Sequence, residues 1–389
     1  MSRPAAPPRV AFVNGGILGL SSYAAWLQPA LAGRADIHAE YFLLTERLTL
    51  SERIRRRVMC QRLWPDPDGL RNLDYARYRQ ELHTGLLARR RLLARGLAHF
   101  DVLHFHRQST AYGSLDLMRQ RPSIVSVDCT QTCVLQDMHG RLERRTIEPN
   151  LRRDGEIFRR AAAIVSTSHW AAREIARTYP DCRTPVHVIP NPVDFPYLDT
   201  GWIAERAARA AAGGVPRLLF MGGDFRRKGG YDLLDAWTAG QFAGRAELIL
   251  VTDWAVGALP RGVTQRRNVR GHTAAWSDAW RQADIFVMPT RNEAFGLVYQ
   301  EAAGAALPTI GSRLNAVPEI VDDGRTGVLV PPRDRDALIE AMQRLVGSAA
   351  LRQQMGTAAR LKIERDADPD HHRDRLLRII HDVAGRTYV

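Results

Sequence analysis

The sequence predicts an α/β protein built from two doubly wound parallel-sheet domains, and three observations predict it. Short apolar runs alternate with helical patterns along the whole chain, as parallel strands joined by crossover helices do. The pattern restarts midway: Arg217-Leu-Leu-Phe-Met221 runs into Gly222-Gly223, much as Arg9–Val13 runs into Asn14-Gly15-Gly16. Finally, 389 residues with 45% hydrophobic and 25% charged content suit two domains that each bury a core. That composition excludes disordered, collagen-like and disulfide-scaffold chains.

Taken in order, Arg9–Val13 reads as the first strand, and the helix after it turns Ile17, Leu20, Tyr23, Leu27 and Leu31 to one side. Asp101–His106, Ser123–Asp128, Ala163–Thr167 and Val186–Pro190 read as further strands. A helical connector, Trp202–Ala212, ends at Gly213-Gly214. The second half offers strands Arg217–Met221, Glu247–Val251, Asp284–Met288 and Thr309-Ile310, a helix over Tyr231–Trp237 and a last helix over Arg373–Val383. The domain boundary is expected near 195–215. Open α/β sheets bind ligands outside the carboxyl ends of their strands, so two such domains face to face would make a cleft there.

The densest signal is Pro289-Thr-Arg-Asn-Glu-Ala-Phe-Gly-Leu-Val-Tyr-Gln-Glu301. A strand ends at Met288, a polar loop carries Glu293, and Phe295-Gly296 opens a helix through Leu297, Tyr299 and Glu301. Gly296 permits a tight turn, and the free N–H groups at the helix start make a phosphate site. Glu301, one turn further in, can accept both hydroxyls of a ribose, while Glu293 on the loop can meet a sugar hydroxyl. The second signal, Phe220-Met-Gly-Gly-Asp-Phe-Arg-Arg-Lys-Gly-Gly230, follows the first strand of the second half. Its glycines allow close backbone approach, and Arg226, Arg227 and Lys228 bring cations. Only two of 55 basic residues are lysines, Lys228 and Lys362, so a compact ammonium in this loop suggests a diphosphate ligand.

Together with Ala316-Val-Pro-Glu-Ile-Val-x-Asp-Gly-x-Thr-Gly-Val-Leu-Val330, these motifs resemble the retaining glycosyltransferases of family 4. The match is specific over about residues 216–345 and looser over 1–195, where it rests on Gly15-Gly16 and Asn191-Pro-Val-Asp194. The resemblance implies the GT-B fold, two facing Rossmann-like domains. Residues 1–196 would be the acceptor side and 197–369 the nucleotide-sugar side, with a last helix over 370–389 crossing back to the first domain. It implies sugar transfer from a nucleotide diphosphate sugar, with retention and without a metal or other cofactor, in cell-surface glycan, polysaccharide or glycolipid synthesis. Glu293 would contact the donor sugar, Glu301 the ribose, and Lys228 with Arg227 the diphosphate. Phe295, Gly296, Leu297 and Val298 would line the donor site, and Gly15 and Gly16 would approach from the other wall. Departures from the family pattern are Gly223 where many members have Arg, Asn315-Ala316 for Gly-Gly, Ala306 for the helix-ending Gly, and Asp128 where a strand-end histidine is usual.

His104-Phe-His106 places two imidazoles on one face of a strand end. A metal pair lacks a third ligand, so a polar wall of the acceptor pocket is expected, with His106 and Asp128 near the reacting groups. Asp66-Pro-Asp68 reads as a turn, since no strand precedes it. The cysteines at 60, 129, 133 and 182 are too few and too scattered for a disulfide framework or zinc site. Val10–Val13 is too short for a signal-peptide core, and no 18 apolar residues run together. A cytoplasmic protein is expected, with a peripheral place on the inner face of the membrane left open.

The net charge is +13, of which residues 51–100 alone supply +7. Two uses are open for this arginine surplus besides coding bias: docking on an anionic membrane or meeting an acidic acceptor. Rival readings are a GT-B epimerase or phosphorylase and a polyanion or nucleic-acid binder. The phosphorylase needs a pyridoxal lysine from a chain with two lysines. The nucleic-acid binder needs aromatic platforms, and Trp64, Tyr75 and Tyr78 are irregularly spaced.

Overall fold

The structure is a computed structural model that describes residues 6–15, 19–45, 48–61, 75–136, 141–193 and 201–385. Two compact units divide it: Met1–Asn191 with Asp370–Val389, and Pro192–Pro369. The division falls between Asn191 and Pro192, a few residues ahead of the boundary expected at 196. Each unit holds one six-stranded parallel sheet.

In the first unit β1 (Arg9–Asn14), β2 (His38–Leu43), β3 (Val102–His106), β4 (Ser123–Val127), β5 (Ala163–Ser166) and β6 (Val186–Val188) lie in the order β2-β1-β3-β4-β5-β6. In the second, β7 (Arg217–Met221), β8 (Glu247–Val251), β9 (Val263–Arg266), β10 (Ile285–Met288), β11 (Thr309–Ser312) and β12 (Gly327–Val330) take the order β12-β11-β10-β7-β8-β9. Crossover helices cover both faces, so the central strands read as continuous apolar runs. Every residue of β3 except His106 and every residue of β10 is buried.

Three strands are absent from the sequence reading: β2, β9 and β12. All three are sheet edges. β2 (HAEYFL) is half-exposed and β9 (VTQR) largely polar, so neither shows the apolar run that marks a central strand. Tyr23, Leu27 and Leu31 are buried on one side of helix Gly19–Leu31, as the periodicity predicts. Ile17 and the Asp66-Pro-Asp68 turn lie outside the described residues.

The last helix, Pro369–Ala384, extends the predicted one at both ends. Leu376, Leu377, Ile379, Ile380 and Val383 pack against Val10, Phe12, Tyr23 and Leu27 of the first unit. Each such aliphatic burial is worth roughly 1.5–3 kcal/mol, enough to fix the helix to this core. His372 adds direction: Nε2 lies 2.9 Å from the Tyr23 hydroxyl and Nδ1 lies 2.8 Å from the Pro190 carbonyl.

Burial holds His372 at about 4 despite the Pro190 hydrogen bond, and burial beside His372 holds His104 at about 3. Both are therefore neutral in the fold and gain a proton on unfolding below their ordinary value of 6.5. Their contribution is intact above that value and is lost as the pH falls toward the folded-state values. Urea unfolding should lose up to about 1.4 kcal/mol per pH unit for each histidine through that window. An unchanged unfolding midpoint between pH 7 and pH 5 would contradict this account.

Candidate functional site

In the second unit, the loop after β7 is pressed onto the loop after β10 by its glycines. Gly229 has φ 76°, and a Cβ there would fall 1.9 Å from the Pro289 carbonyl oxygen. The Lys228 stem crosses Gly222 so closely that a Cβ would meet Lys228 Cδ at 2.4 Å. The Arg227 carbonyl accepts from the Arg291 N–H at 2.8 Å and from Thr290 Oγ1 at 3.2 Å. Arg291 in turn forks onto Asp232, at 2.7 and 2.5 Å.

This packing joins side chains that the sequence reading had assigned to different tasks. Lys228 Nζ lies 3.0 Å from Glu293 Oε2. Arg227 Nη1 donates to the Asn292 carbonyl at 2.6 Å and lies 3.6 Å from the same carboxylate oxygen. Glu293 is thus already ion-paired, not free for a sugar hydroxyl alone, and Lys228 is shared. Burial by itself would raise the Glu293 carboxyl, but Lys228 and Arg227 outweigh it and hold the group below the usual carboxylate range.

Gly296 adopts φ 87° at the start of helix Leu297–Gly304, with room for no more than hydrogen beside the Tyr299 ring, 2.6 Å from a built Cβ. The Tyr299 hydroxyl donates to the Met288 carbonyl at 2.7 Å, tying the helix start to β10. Phe295 is buried beneath the turn. Among the described residues, the N–H groups of Leu297 and Val298 have no hydrogen-bond partner. These are the orphan donors that make a helix start attract anions. Glu301 makes no side-chain hydrogen bond or ion pair among the described residues; burial lifts it to about 7, with Lys228 opposing.

One contributor escaped the sequence reading as a site residue. Asn315, seen only as a departure from Gly, takes φ 48° and donates Nδ2 to the Glu293 carbonyl at 2.9 Å. Asparagine tolerates the left-handed region that glycine would fill, and here its amide also braces the Glu293 loop.

In the first unit, β1 leads into buried Gly15, while Gly16 lies outside the described residues. His104 is buried and its Nε2 lies 2.7 Å from Ser126 Oγ, so it is committed to the sheet. His106 is half-buried, with its ring 4.3 Å from that of Tyr23; burial, with His104 and His372 nearby, holds it neutral at about 3. The described residues contain no group of three or more His, Cys, Asp or Glu able to hold a metal ion. Asp128 sits just past β4, not within it, and its charge acts on Arg107.

Arg107, at φ 82°, lies 3.8 Å from Glu81, a buried carboxylate that receives the Gln131 amide at 2.8 Å and the Asn150 amide at 2.7 Å. Buried Asp154 accepts from the Tyr112 hydroxyl at 2.7 Å and from Gln108 at 3.2 Å. Burial, with Glu81 nearby, raises Asp154 to about 8. This network fastens the loops that follow His106 and Asp128. Its members come from separate helices and loops, so no spacing in the sequence announces it.

The model for glycosyl transferases group 1 matches residues 215–348, and the model for Glycosyltransferase Family 4 matches residues 39–195. A D-inositol 3-phosphate glycosyltransferase of Arthrobacter sp. is 26% identical over 289 residues, 67% of this chain and 66% of the relative. Another such enzyme, from Corynebacterium diphtheriae, matches over 19% of its length, so the chain spans between a fifth and two thirds of these curated relatives. Sucrose-phosphate synthase from Thermosynechococcus elongatus shares the fold at TM-score 0.76 and 18% identity, over 97% of this chain and 99% of that one. Anabaena HepE in complex with UDP and glucose aligns at TM-score 0.65 and 13% identity, over 96% of this chain and all of that one.

The Gly229 contact supplies a test of how the two loops are held. Gly229→Ala should cost about 2 kcal/mol or more, from strained backbone and the displaced Pro289 carbonyl. Gly223→Ala, where a built Cβ meets nothing within 4 Å, should cost far less. Equal denaturant midpoints for the two variants would contradict the close packing.

Proposed function

The chain belongs to the family 4 glycosyltransferases of the GT-B fold, and on that premise we propose that it moves a sugar from a nucleotide diphosphate sugar to an acceptor hydroxyl. One observation carries the proposal: the Lys228–Glu293–Arg227 cluster stands at the carboxyl ends of β7 and β10, in the unit that also presents the unpaired N–H groups of Leu297 and Val298. Such an arrangement suits a diphosphate, whose charge grows as the sugar leaves.

In this reading Lys228 and Arg227 neutralise the departing diphosphate, the Leu297 and Val298 N–H groups hold a phosphate oxygen, and Glu301 accepts the ribose hydroxyls. Phe295 and Gly296 shape the turn that aims those N–H groups. Glu293, fixed by its cations and by Asn315, receives a hydroxyl of the donor sugar and favours the positive charge that develops on its ring. A carboxylate so tied is poorly disposed to attack carbon, which supports retention by departure and attack on one face over a covalent glycosyl-enzyme. The side chains themselves supply positive charge, so transfer should persist in chelator. Gly15, Gly16, neutral His106 and Asp128 are assigned to the reacting sugar and the acceptor.

UDP is the first donor base to try, since HepE is described with UDP and glucose. An acceptor bearing an anion is favoured by the cationic first half and by relatives named for inositol phosphate. Among the described residues no helix is long and apolar enough to cross a membrane. We place the enzyme in the cytoplasm, with acceptors that include lipid-linked glycans.

Lys228→Ala and Glu293→Ala should each lower transfer at least about a hundredfold while the protein stays folded. Near-normal turnover in either would sink the assignment. A panel of UDP-, GDP-, ADP- and TDP-sugars identifies the donor, and the anomeric proton coupling of the product reports retention. With Glu301 at about 7, its carboxylate form, the better acceptor, grows as pH rises. Affinity for the cognate nucleotide sugar should therefore increase roughly tenfold from pH 6 to pH 8, and Glu301→Gln should flatten that rise in a calorimetric titration.

A further inference from the structure

On the first unit, helix Leu50–Cys60 leaves an apolar stripe uncovered. Leu50, Ile54 and Val58 are 74%, 57% and 67% exposed, and at 3.6 residues per turn they fall within about 80° of the helix circumference. Buried Glu52 and half-buried Met59 occupy the opposite side, so the stripe faces outward. Arg53 and Arg57 border it on one flank and Arg55 on the other. These three and Arg56 are exposed, and none of the four side chains makes a hydrogen bond or ion pair among the described residues.

The neighbouring arginines differ. In helix Ala76–Arg95, Arg89 pairs with Asp116, Arg90 with Glu52, Arg95 with Glu40, and Arg91 donates to the Leu43 carbonyl. The acid of the shorter helix, Glu52, is spent on a capping box with Thr49, its Oε2 accepting the Thr49 N–H at 2.9 Å. Arg53, Arg55 and Arg57 therefore keep their charge at the rim of the stripe, while Arg56 lies nearer the side of Glu52. Arg53, Arg56 and Arg57 also border a depression of about 660 Å³.

An apolar strip with cations on both flanks matches a surface that is apolar in depth and anionic at its face. A protein groove would need acidic rims on both sides at the right width, whereas an anionic bilayer offers phosphates in every direction. Arginine stems are long enough to lie along the apolar layer while their heads stay among the phosphates. We propose that helix Leu50–Cys60 docks in the surface of an anionic membrane, with Leu50, Ile54 and Val58 below the headgroups and Arg53, Arg55 and Arg57 on lipid phosphates. The proposal builds on the glycosyltransferase reading only in that it brings the acceptor-side unit to acceptors held at that surface.

The full chain should sediment with vesicles of equal parts phosphatidylglycerol and phosphatidylcholine, and not with phosphatidylcholine alone. Each of Arg53→Gln, Arg55→Gln and Arg57→Gln should weaken partitioning about fivefold, and the pair Ile54→Ser with Val58→Ser should weaken it roughly tenfold or more. All these positions are exposed, so circular dichroism and nucleotide-sugar hydrolysis in solution should stay as in the parent protein. Failure of the donor-site reading would instead show as absent hydrolysis with vesicle binding intact. Variants that partition like the parent would overturn the proposal, as would a parent that ignores anionic vesicles. A dimer that dissociates on Ile54→Ser, without vesicle binding, would assign the stripe to a second copy of the chain.

Discussion

Glu293 sits where water is largely excluded, and burial alone would raise its carboxyl above the usual range. Lys228 at 3.0 Å and Arg227 at 3.6 Å reverse that effect. A buried ion pair gains from its mutual attraction only when the geometry is held by other means. Here it is held by backbone: the Arg227 carbonyl is fixed by Arg291 and Thr290, Gly229 lies against Pro289, and Asn315 grips the Glu293 carbonyl. The parallel sheet contributes by bringing the ends of β7 and β10 side by side, because these strands pair directly. The ion pair therefore depends on strand order, and the chemistry proposed for the unit depends on the ion pair.

What was legible in the sequence follows the range of the interactions involved. Gly222, Gly229 and Gly296 each answer to a local demand, a close approach or a positive φ, so their motifs point to the right loops. The central strands, wrapped on both faces, betray themselves by apolar runs. β2 and β9 do not, since one flank of an edge strand meets solvent and its composition relaxes. The contacts around Glu81 were illegible for another reason: Gln131, Asn150 and Arg107 reach it from separate elements, and only the fold brings them together. The Lys228–Glu293 pair lay between these cases. Both residues stood out in the sequence, but separately, and their mutual contact changes what each can do.

Charge offers the same lesson at larger scale. Composition treats the arginines of residues 51–100 as one basic block. In the fold they divide. Those of helix Ala76–Arg95 are tied to Asp116, Glu52, Glu40 and the Leu43 carbonyl, so their charge serves the unit's own cohesion. Arg53, Arg55 and Arg57 of helix Leu50–Cys60 face outward around an apolar stripe, and their charge is available to something else. A count of charges gives field strength; partners decide whether the field is spent inside the molecule or presented outside it.

Glu293 and Glu301, eight residues apart on one strand–loop–helix, are driven in opposite directions by their surroundings. Burial acts on both. Only Glu293 has two cations in contact, so it stays ionised while Glu301 rises to about 7. Unlike environments for paired carboxylates commonly mark unlike tasks. On the proposed reading, a fixed negative charge beside the sugar is needed throughout the reaction, because positive charge develops on the ring. A ribose contact asks for an acceptor only while the nucleotide is bound, so Glu301 can keep its proton in the empty site and give it up on binding. When a diphosphate arrives, Lys228 and Arg227 must serve it and Glu293 together, so the balance shifts toward negative charge around the sugar. That excess opposes binding slightly and favours the transition state, the direction in which an enzyme gains rate.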